Sequence, residues 1–397
     1  MNSSLCRSYL TASGTIRPWF LLLTAFTAAC GASGATQSPA QTAGVEPNSS
    51  TQLPTTYVTP DDAGMISTRL EEANGWLLEG SYERAAAAFD QIVAFEPEGQ
   101  HAAAALYNAG FAYEQLGRAD EALVRYRKLI DRFAEAPETR GGLIRAGRLY
   151  AHAEDWEALV LVSEHLLARP DLAVLDRIEA LGAHALGLVE QGQVDRAALS
   201  VSKARTLIED NGLHEAGKLN VSLAEVFFAL GEVRRIRGEQ IVFDPVPDNF
   251  AEVLEQRCQS LLDAQDAYAT AMRAYDPHWS AMAGYRVGGL YQQLHRDLMR
   301  VPPPKSAQTE RQRQLFEGAM QLRYRVLLEK GLKMMDRTVA MADRTGESST
   351  WVHRAKDAKQ DLERALEAAK ESLAKLPYKE QDLQRALDDL AGKKTMP

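Results

Sequence analysis

The feature that most constrains this chain is a small residue that returns at one fixed spacing. Ala73, Gly110, Gly147 and Ala185 fall 37, 37 and 38 residues apart. Around the second of them, Leu106 to Leu129 reads LYNAGFAYEQLGRADEALVRYRKL. Leu106, Ala109, Gly110 and Tyr113 share one face of a first helix, Gly117 ends that helix, and Ala122, Tyr126 and Leu129 line a second. Two antiparallel helices can approach closely where Gly110 and Ala122 are small, with Tyr113 and Tyr126 filling the hollows beside them. One such pair cannot bury its own apolar stripe, so the pattern requires stacked copies.

The copies are present. The first pair uses Ala73, Trp76, Gly80, Tyr82, Ala85, Phe89 and Ile92 and closes at Pro97. Arg69 and Glu72 stand in it where apolar residues are usual, as in a repeat with one face in water. The third pair has Leu143, Ala146, Gly147, Tyr150, Trp156 and Ala158, and the fourth Leu181, Ala185, Leu188, Gly192, Ala197 and Ala204. The placing of residues in LYNAGFAY resembles the W-x₂-L-G-x₂-Y signature of tetratricopeptide repeats. The expected fold class is therefore all-α, an α-solenoid of tetratricopeptide-like helix hairpins, regular over 65–211. Ala, Leu, Glu, Arg and Gln dominate the composition, and no long alternating Val/Ile/Thr run competes with helix.

After Asn211-Gly212 the intervals stretch to 46 and 57 residues, at Gly231 and Gly288, so 212–397 reads as a divergent helical region. Its elbows are IVFDPVPDNF at 241–250 and VPPPK at 301–305, because successive prolines cannot continue a helix. Between and beyond them the pattern predicts helices around Cys258 and Tyr268, over Trp279–Arg300, from about Thr309 to Asp343, over Thr350–Ala374 with Ser348 and Ser349 as caps, and after Pro377.

The N-terminus reads as an export segment. Arg7 and Arg17 precede an apolar run too short to span a bilayer, so 1–29 has the layout of a signal peptide. Thr27-Ala28-Ala29-Cys30, followed by Gly31, resembles the lipobox of bacterial lipoproteins, with Thr27 where Leu is usual. The resemblance implies that Cys30 becomes the lipidated first residue, carrying a diacylglycerol and acyl modification. Gly31, in place of a retention Asp, implies sorting to the outer membrane. An ordinary secretory signal cut nearby would instead leave Cys30 incidental. Residues 30–64, rich in Ser, Thr, Gly, Pro and Gln, read as a flexible tether.

A formal charge of −9 without a concentrated basic face argues against nucleic acid as a partner. With Cys30 assigned to lipid, Cys258 is a lone thiol of the mature chain, expected as a small buried hydrophobe. Gly212 to Lys218 matches G-x₄-G-K, but Leu219 replaces the Ser or Thr that would ligand Mg²⁺, and no strand precedes it. That segment reads as a turn between repeats. No histidine stands in an H-E-x-x-H pair or at zinc spacing, and there is no G-x-S-x-G elbow. The sequence therefore points to no enzyme, no metal and no cofactor beyond the N-terminal lipid.

What remains is a surface. In a stacked array the first helices line the concave side, and residues off their packing face point into the groove. In the register of Leu106 to Tyr113 these are Leu70, Asn74, Leu77, Tyr107, Asn108, Phe111, Ile144, Arg145 and Arg148. Aromatic area beside amide and guanidinium donors suits peptide binding. Each of these residues could equally pack against the next repeat.

The regular half resembles tetratricopeptide lipoproteins of the Gram-negative envelope, found in outer-membrane assembly and peptidoglycan-linked complexes. The last third, with His278-Trp279, the triple proline of VPPPK and Trp351, is similar to tetratricopeptide lipoproteins associated with bacterial gliding-motility machinery. These resemblances imply a non-enzymatic protein–protein interaction scaffold on the outer membrane, facing the periplasm. Its partners would be other envelope proteins, held in the groove, and the membrane, held through the lipid. Two other readings stand beside this one: a pilotin-like carrier of an outer-membrane subunit, and a nucleotide-binding or hydrolytic envelope protein using the Gly212–Lys218 turn.

Overall fold

The computed structural model describes residues 63–390 apart from 216 and 306, so the expected signal peptide, Cys30 and nearly all of the tether lie outside the described residues. The described residues form fourteen α-helices and no strand. In order they are α1 (Ala63–Leu78), α2 (Tyr82–Phe95), α3 (Ala102–Gln115), α4 (Ala119–Arg132), α5 (Pro137–Ala153), α6 (Trp156–Ala168) and α7 (Val174–Glu190). There follow α8 (Val194–Asp210), α9 (Ala224–Glu239), α10 (Phe250–Met272), α11 (Pro277–Met299), α12 (Glu310–Thr345), α13 (Thr350–Lys375) and α14 (Glu380–Leu390). α1 begins two residues ahead of the expected start of the array at 65. From α1 to α12 the odd-numbered helices are the first members of hairpins and pack on one another as well as on their partners, whereas α13 packs on α11 and α12 and α14 packs back on α12.

The repeat register rests on a close approach. A Cβ added to Gly110 of α3 would lie 2.5 Å from the Tyr126 ring of α4. The same knob and hollow recur in the fifth hairpin, where Gly231 faces the Tyr268 ring at 2.5 Å. In the sixth, Gly288 faces the Met335 methyl, also at 2.5 Å. In the first and fourth, Ala73 and Ala185 are fully buried. Gly147 keeps the position but not the constraint, since its nearest neighbour would be Leu159 at 3.9 Å. The helix ends keep register too: Gly80, Gly117 and Gly192 follow α1, α3 and α7 in the left-handed conformation. In α4 the buried Ala122, Leu123, Tyr126 and Leu129 form one stripe, with Asp120 and Glu121 in its first turn and Arg132 in its last, which complements the helix dipole.

One apolar core runs from Ala122 in α4 to Val352 in α13, so the change of spacing at 211/212 leaves the packing unbroken. Both elbows stand as expected, and Thr309 caps α12 through a reciprocal pair of bonds with Gln312. At α13 the outcome differs from the sequence expectation. Ser349 occupies the N-cap place, yet its hydroxyl makes no cap bond, and its N–H donates to Glu347 instead. Cys258 is buried. The Gly212–Lys218 segment begins as a left-handed turn ending α8, and Leu219 beyond it is buried with its N–H on the Arg273 carbonyl.

The array closes on itself. Glu154 stands where the other early repeats place glycine, and it too is left-handed, at φ 59°. That conformation costs a non-glycine residue about 1–2 kcal/mol. Its carboxylate meets Arg354 of α13 in two contacts of 2.9 Å, across 200 residues of chain. Arg354 and Arg286 of α11 lie over the Trp351 ring at 4.4 and 5.0 Å, and Arg286 bonds Glu190 at the end of α7. Beside them His152 of α5 stacks on His278 of α11 with ring centroids 4.3 Å apart. The Glu154–Arg354 pair is partly solvated and contributes on the order of 0–1 kcal/mol. Burying Trp351, 2 % exposed, stabilises the seam more, so apolar packing drives closure and the ion pair sets where it lands.

Beneath this seam the Glu232 carboxylate, with no exposed surface, takes Arg235 at 2.6 Å, Arg286 at 2.8 Å and the Tyr268 hydroxyl at 2.6 Å. These groups tie α9, α10 and α11 together, and truncating one partner of such a buried cluster typically costs about 3–5 kcal/mol.

Two outcomes follow. Gly110→Ala should lower the thermal midpoint because Tyr126 has to move, whereas Gly147→Ala should leave it unchanged or raise it by the usual helix preference of ~0.5–1 kcal/mol. Equal effects at the two positions would contradict the register. Burial, and then the neighbouring His152, hold His278 below the ordinary histidine range. Its contact therefore contributes fully above that range and weakens as pH falls through it. Relative to His278→Gln, the wild-type midpoint should drop on acidification from about pH 7.5 to 5.5; parallel curves would sink this.

Candidate functional site

The stacked first helices bring the nine expected groove residues together as three consecutive rungs. Leu70, Asn74 and Leu77 come from α1, Tyr107, Asn108 and Phe111 from α3, and Ile144, Arg145 and Arg148 from α5. Eight of them are half-buried, and Arg148 is exposed. Arg69 and Glu72 of the first repeat are exposed, as a repeat facing water requires.

The polar members are bonded to each other across repeats. The Asn108 amide donates to the Asn74 oxygen at 3.0 Å. Arg145 donates to the Tyr107 hydroxyl at 3.2 Å and to both Glu114 oxygens at 3.0 Å. Its guanidinium also covers the Phe111 ring at 4.4 Å. Arg148 forms a fork with Glu179 of α7, at 2.6 and 3.0 Å, and the Ser222 hydroxyl donates to the same carboxylate at 2.7 Å. The polar side chains of the first helices thus form a bonded ladder across repeats, with aromatic and aliphatic area beside it.

Tyr107 packs into the array: its ring lies 6.3 Å from that of Tyr126 and occupies the space beside Gly141, 2.8 Å from where a Cβ would sit. Phe111 and Ile144 are the better candidates for contact with a partner. The groove register by itself does not single out Glu114, Glu179 or Glu225. Glu114 lies seven residues after Tyr107, so extending the helical period by one turn finds it. Glu179 lies one turn ahead of the equivalent places in α7, and only the packing of α9 on α7 reveals Glu225.

On the outer side a cavity of about 320 Å³ opens between α2 and α4, around the Arg125–Asp90 pair. It shares only Leu106 with the first helices and none of the ladder residues.

No family model matches the chain, and no curated protein matches its sequence. Among solved structures it is similar to a tetratricopeptide repeat protein from Parabacteroides merdae, at 13% identity over 76% of this chain and 99% of that chain, with a TM-score of 0.41. It is also similar to the human IFIT1 dimer with m7Gppp-AAAA, at 14% identity over 82% of this chain and 72% of that chain, with a TM-score of 0.36. A third is the TPR2AB domain of yeast Sti1 in its pHSP90 complex, at 12% identity over 77% of this chain and 99% of that chain, with a TM-score of 0.23. Likeness at this level adds nothing to the register seen in the chain itself. The Gly110–Tyr126 contact and its recurrences establish the array.

Proposed function

We propose that this protein is a non-enzymatic scaffold that holds other envelope proteins in the concave face of its helical array. Cys30 carries the lipid that tethers it to the outer membrane. The array faces the periplasm and serves a motility or envelope-assembly complex, as the resemblances of its last third and of its regular half imply. The observation that carries the scaffold reading is the cross-repeat ladder. Arg145, Tyr107 and Glu114 fix one another, so the neighbouring Phe111 and Ile144 are presented on a rigid surface. Rigid apolar area ringed by satisfied polar groups binds a segment without first ordering itself.

Phe111→Ala is the direct test. The fold should survive, since the ring is half-buried rather than core, and partner recovery after crosslinking in intact envelopes should fall by the equivalent of ~2 kcal/mol. Unchanged recovery with unchanged helicity would remove the groove as the binding face. For the anchor, Cys30→Ala should abolish acyl labelling and move the protein to the soluble fraction, because the acyl chains supply ~0.8 kcal/mol per buried CH₂. Unaltered membrane partition of that variant would refute lipid anchoring.

A further inference from the structure

The cavity of about 320 Å³ between α2 and α4 carries an unmatched charge. Arg125, Lys128 and Arg132 line it from one face of α4, against one acid, Asp90 of α2. Asp90 is fully engaged. Arg125 donates to its two oxygens at 3.0 and 2.5 Å, and the Tyr113 hydroxyl donates to it at 2.8 Å. The remaining Arg125 nitrogen donates to the Glu121 carbonyl, so Arg125 and Asp90 cancel and neither is left for a ligand. Lys128 and Arg132 are exposed and have no ion pair or side-chain hydrogen bond with any described residue. Glu96, Glu98 and Asp131, the acids next in sequence to its lining residues, do not line the cavity.

A cavity of about 330 Å³ between α8 and α9 shows the contrast. It too holds three guanidiniums, but Glu209 takes Arg205, the Asp263 carbonyl takes Arg234, and Asp195 takes Arg237. Between α2 and α4, two cations stay without a partner beside an apolar wall. Val93 and Pro97 form that wall, and Leu106, 2 % exposed, lies at its depth. A ligand that suits both sides is an anion on a short aliphatic group. Charge decides which anion: a carboxylate or a sulfate ester brings one negative charge and leaves one cation unmatched. A phosphate monoester carries about 1.5 to 2 negative charges at pH 7, on three acceptor oxygens. Those oxygens can take the planar fork of an arginine and the point charge of a lysine together.

We propose that the α2–α4 cavity binds a phosphate monoester with a short aliphatic stem, its phosphate between Lys128 and Arg132 and its stem on Val93, Pro97 and Leu106. Two sources supply this chemistry, a free small-molecule ester and the headgroup of a phosphatidic-acid-type lipid, and the test separates them. The site stands apart from the concave-face reading, because no ladder residue lines it. The second proton of such an ester leaves near pH 6, so binding strengthens from about pH 5 to 7.5 as the monoanion becomes a dianion.

The test is calorimetric titration of the full chain with n-propyl phosphate, inorganic phosphate and n-propyl sulfate. Propyl phosphate should bind saturably at millimolar concentration. It should bind about threefold or more tightly than inorganic phosphate, which lacks the stem, and than propyl sulfate, which lacks the second charge. Lys128→Gln and Arg132→Gln should each weaken it about fivefold or more with helicity unchanged, since both side chains are exposed. Arg127→Gln, on the same helix but outside the cavity, and Arg205→Gln, in the α8–α9 cavity, should leave binding unaltered. The lipid arm uses Cys30→Ala, so that no acyl anchor contributes, and phosphatidylcholine vesicles with and without phosphatidic acid. Retention that needs phosphatidic acid and is lost with Lys128→Gln assigns the lipid as source; propyl phosphate binding without such retention assigns a free ester. Absence of saturable binding, propyl sulfate or inorganic phosphate as tight as the ester, indifference to Lys128→Gln and Arg132→Gln, or equal losses at Arg127 or Arg205 would overturn the proposal.

Discussion

Everything in this molecule depends on how closely a first helix can approach its second. Gly110 against the Tyr126 ring sets that distance in the second hairpin, and Gly231 against Tyr268 repeats it in the fifth. A glycine inside a helix is disfavoured by roughly 0.5–1 kcal/mol, so its return at one face has to be offset by packing. Here the offset is the burial of a whole aromatic ring, with both tyrosines fully enclosed. From that approach follow the stacking of hairpins, the alignment of the first helices, and a concave face whose residues are neighbours across repeats.

The same stacking accumulates into closure. Each hairpin rotates on the last, and after four of them the end of α5 meets the start of α13. Glu154 marks the meeting point by taking a left-handed conformation that its register otherwise gives to glycine. The strain is small, and a glycine there would avoid it, but only a side chain can reach Arg354. The seam also gathers the buried charges. Glu232, Arg286 and Glu190 join α7, α9 and α11 directly beneath Trp351, so the divergent second half is locked to the regular first half by a polar cluster as well as by core.

How much of this the sequence disclosed follows from what a period can encode. Spacing reports contacts within a helix and between adjacent repeats, so the register, the glycine stops after α1, α3 and α7, the two proline elbows and the placing of the nine expected groove residues on the first helices were all legible. It does not report the rotation per repeat, so nothing tied Glu154 to Arg354 or His152 to His278. A non-glycine residue at the glycine stop was the available signal, visible once Gly80, Gly117 and Gly192 are aligned with Glu154. The ladder was half legible: Asn74, Asn108, Arg145 and Arg148 stand in the groove register, but the carboxylate partners of the arginines lie a turn away or on the next repeat. Glu225 was hidden because α9 follows an irregular link, where the spacing that places a residue breaks down.

The central claim is that partners bind on the concave face. A photo-crosslinking amino acid placed in living cells at position 111 or 144, against positions 161 and 199, tests it most directly. Leu161 of α6 and Leu199 of α8, 54 % and 65 % exposed, belong to the second helices. The account predicts discrete adducts from 111 and 144, of the same partner masses, and none of those masses from 161 or 199. Adducts confined to 161 and 199, or equal from all four, would contradict it.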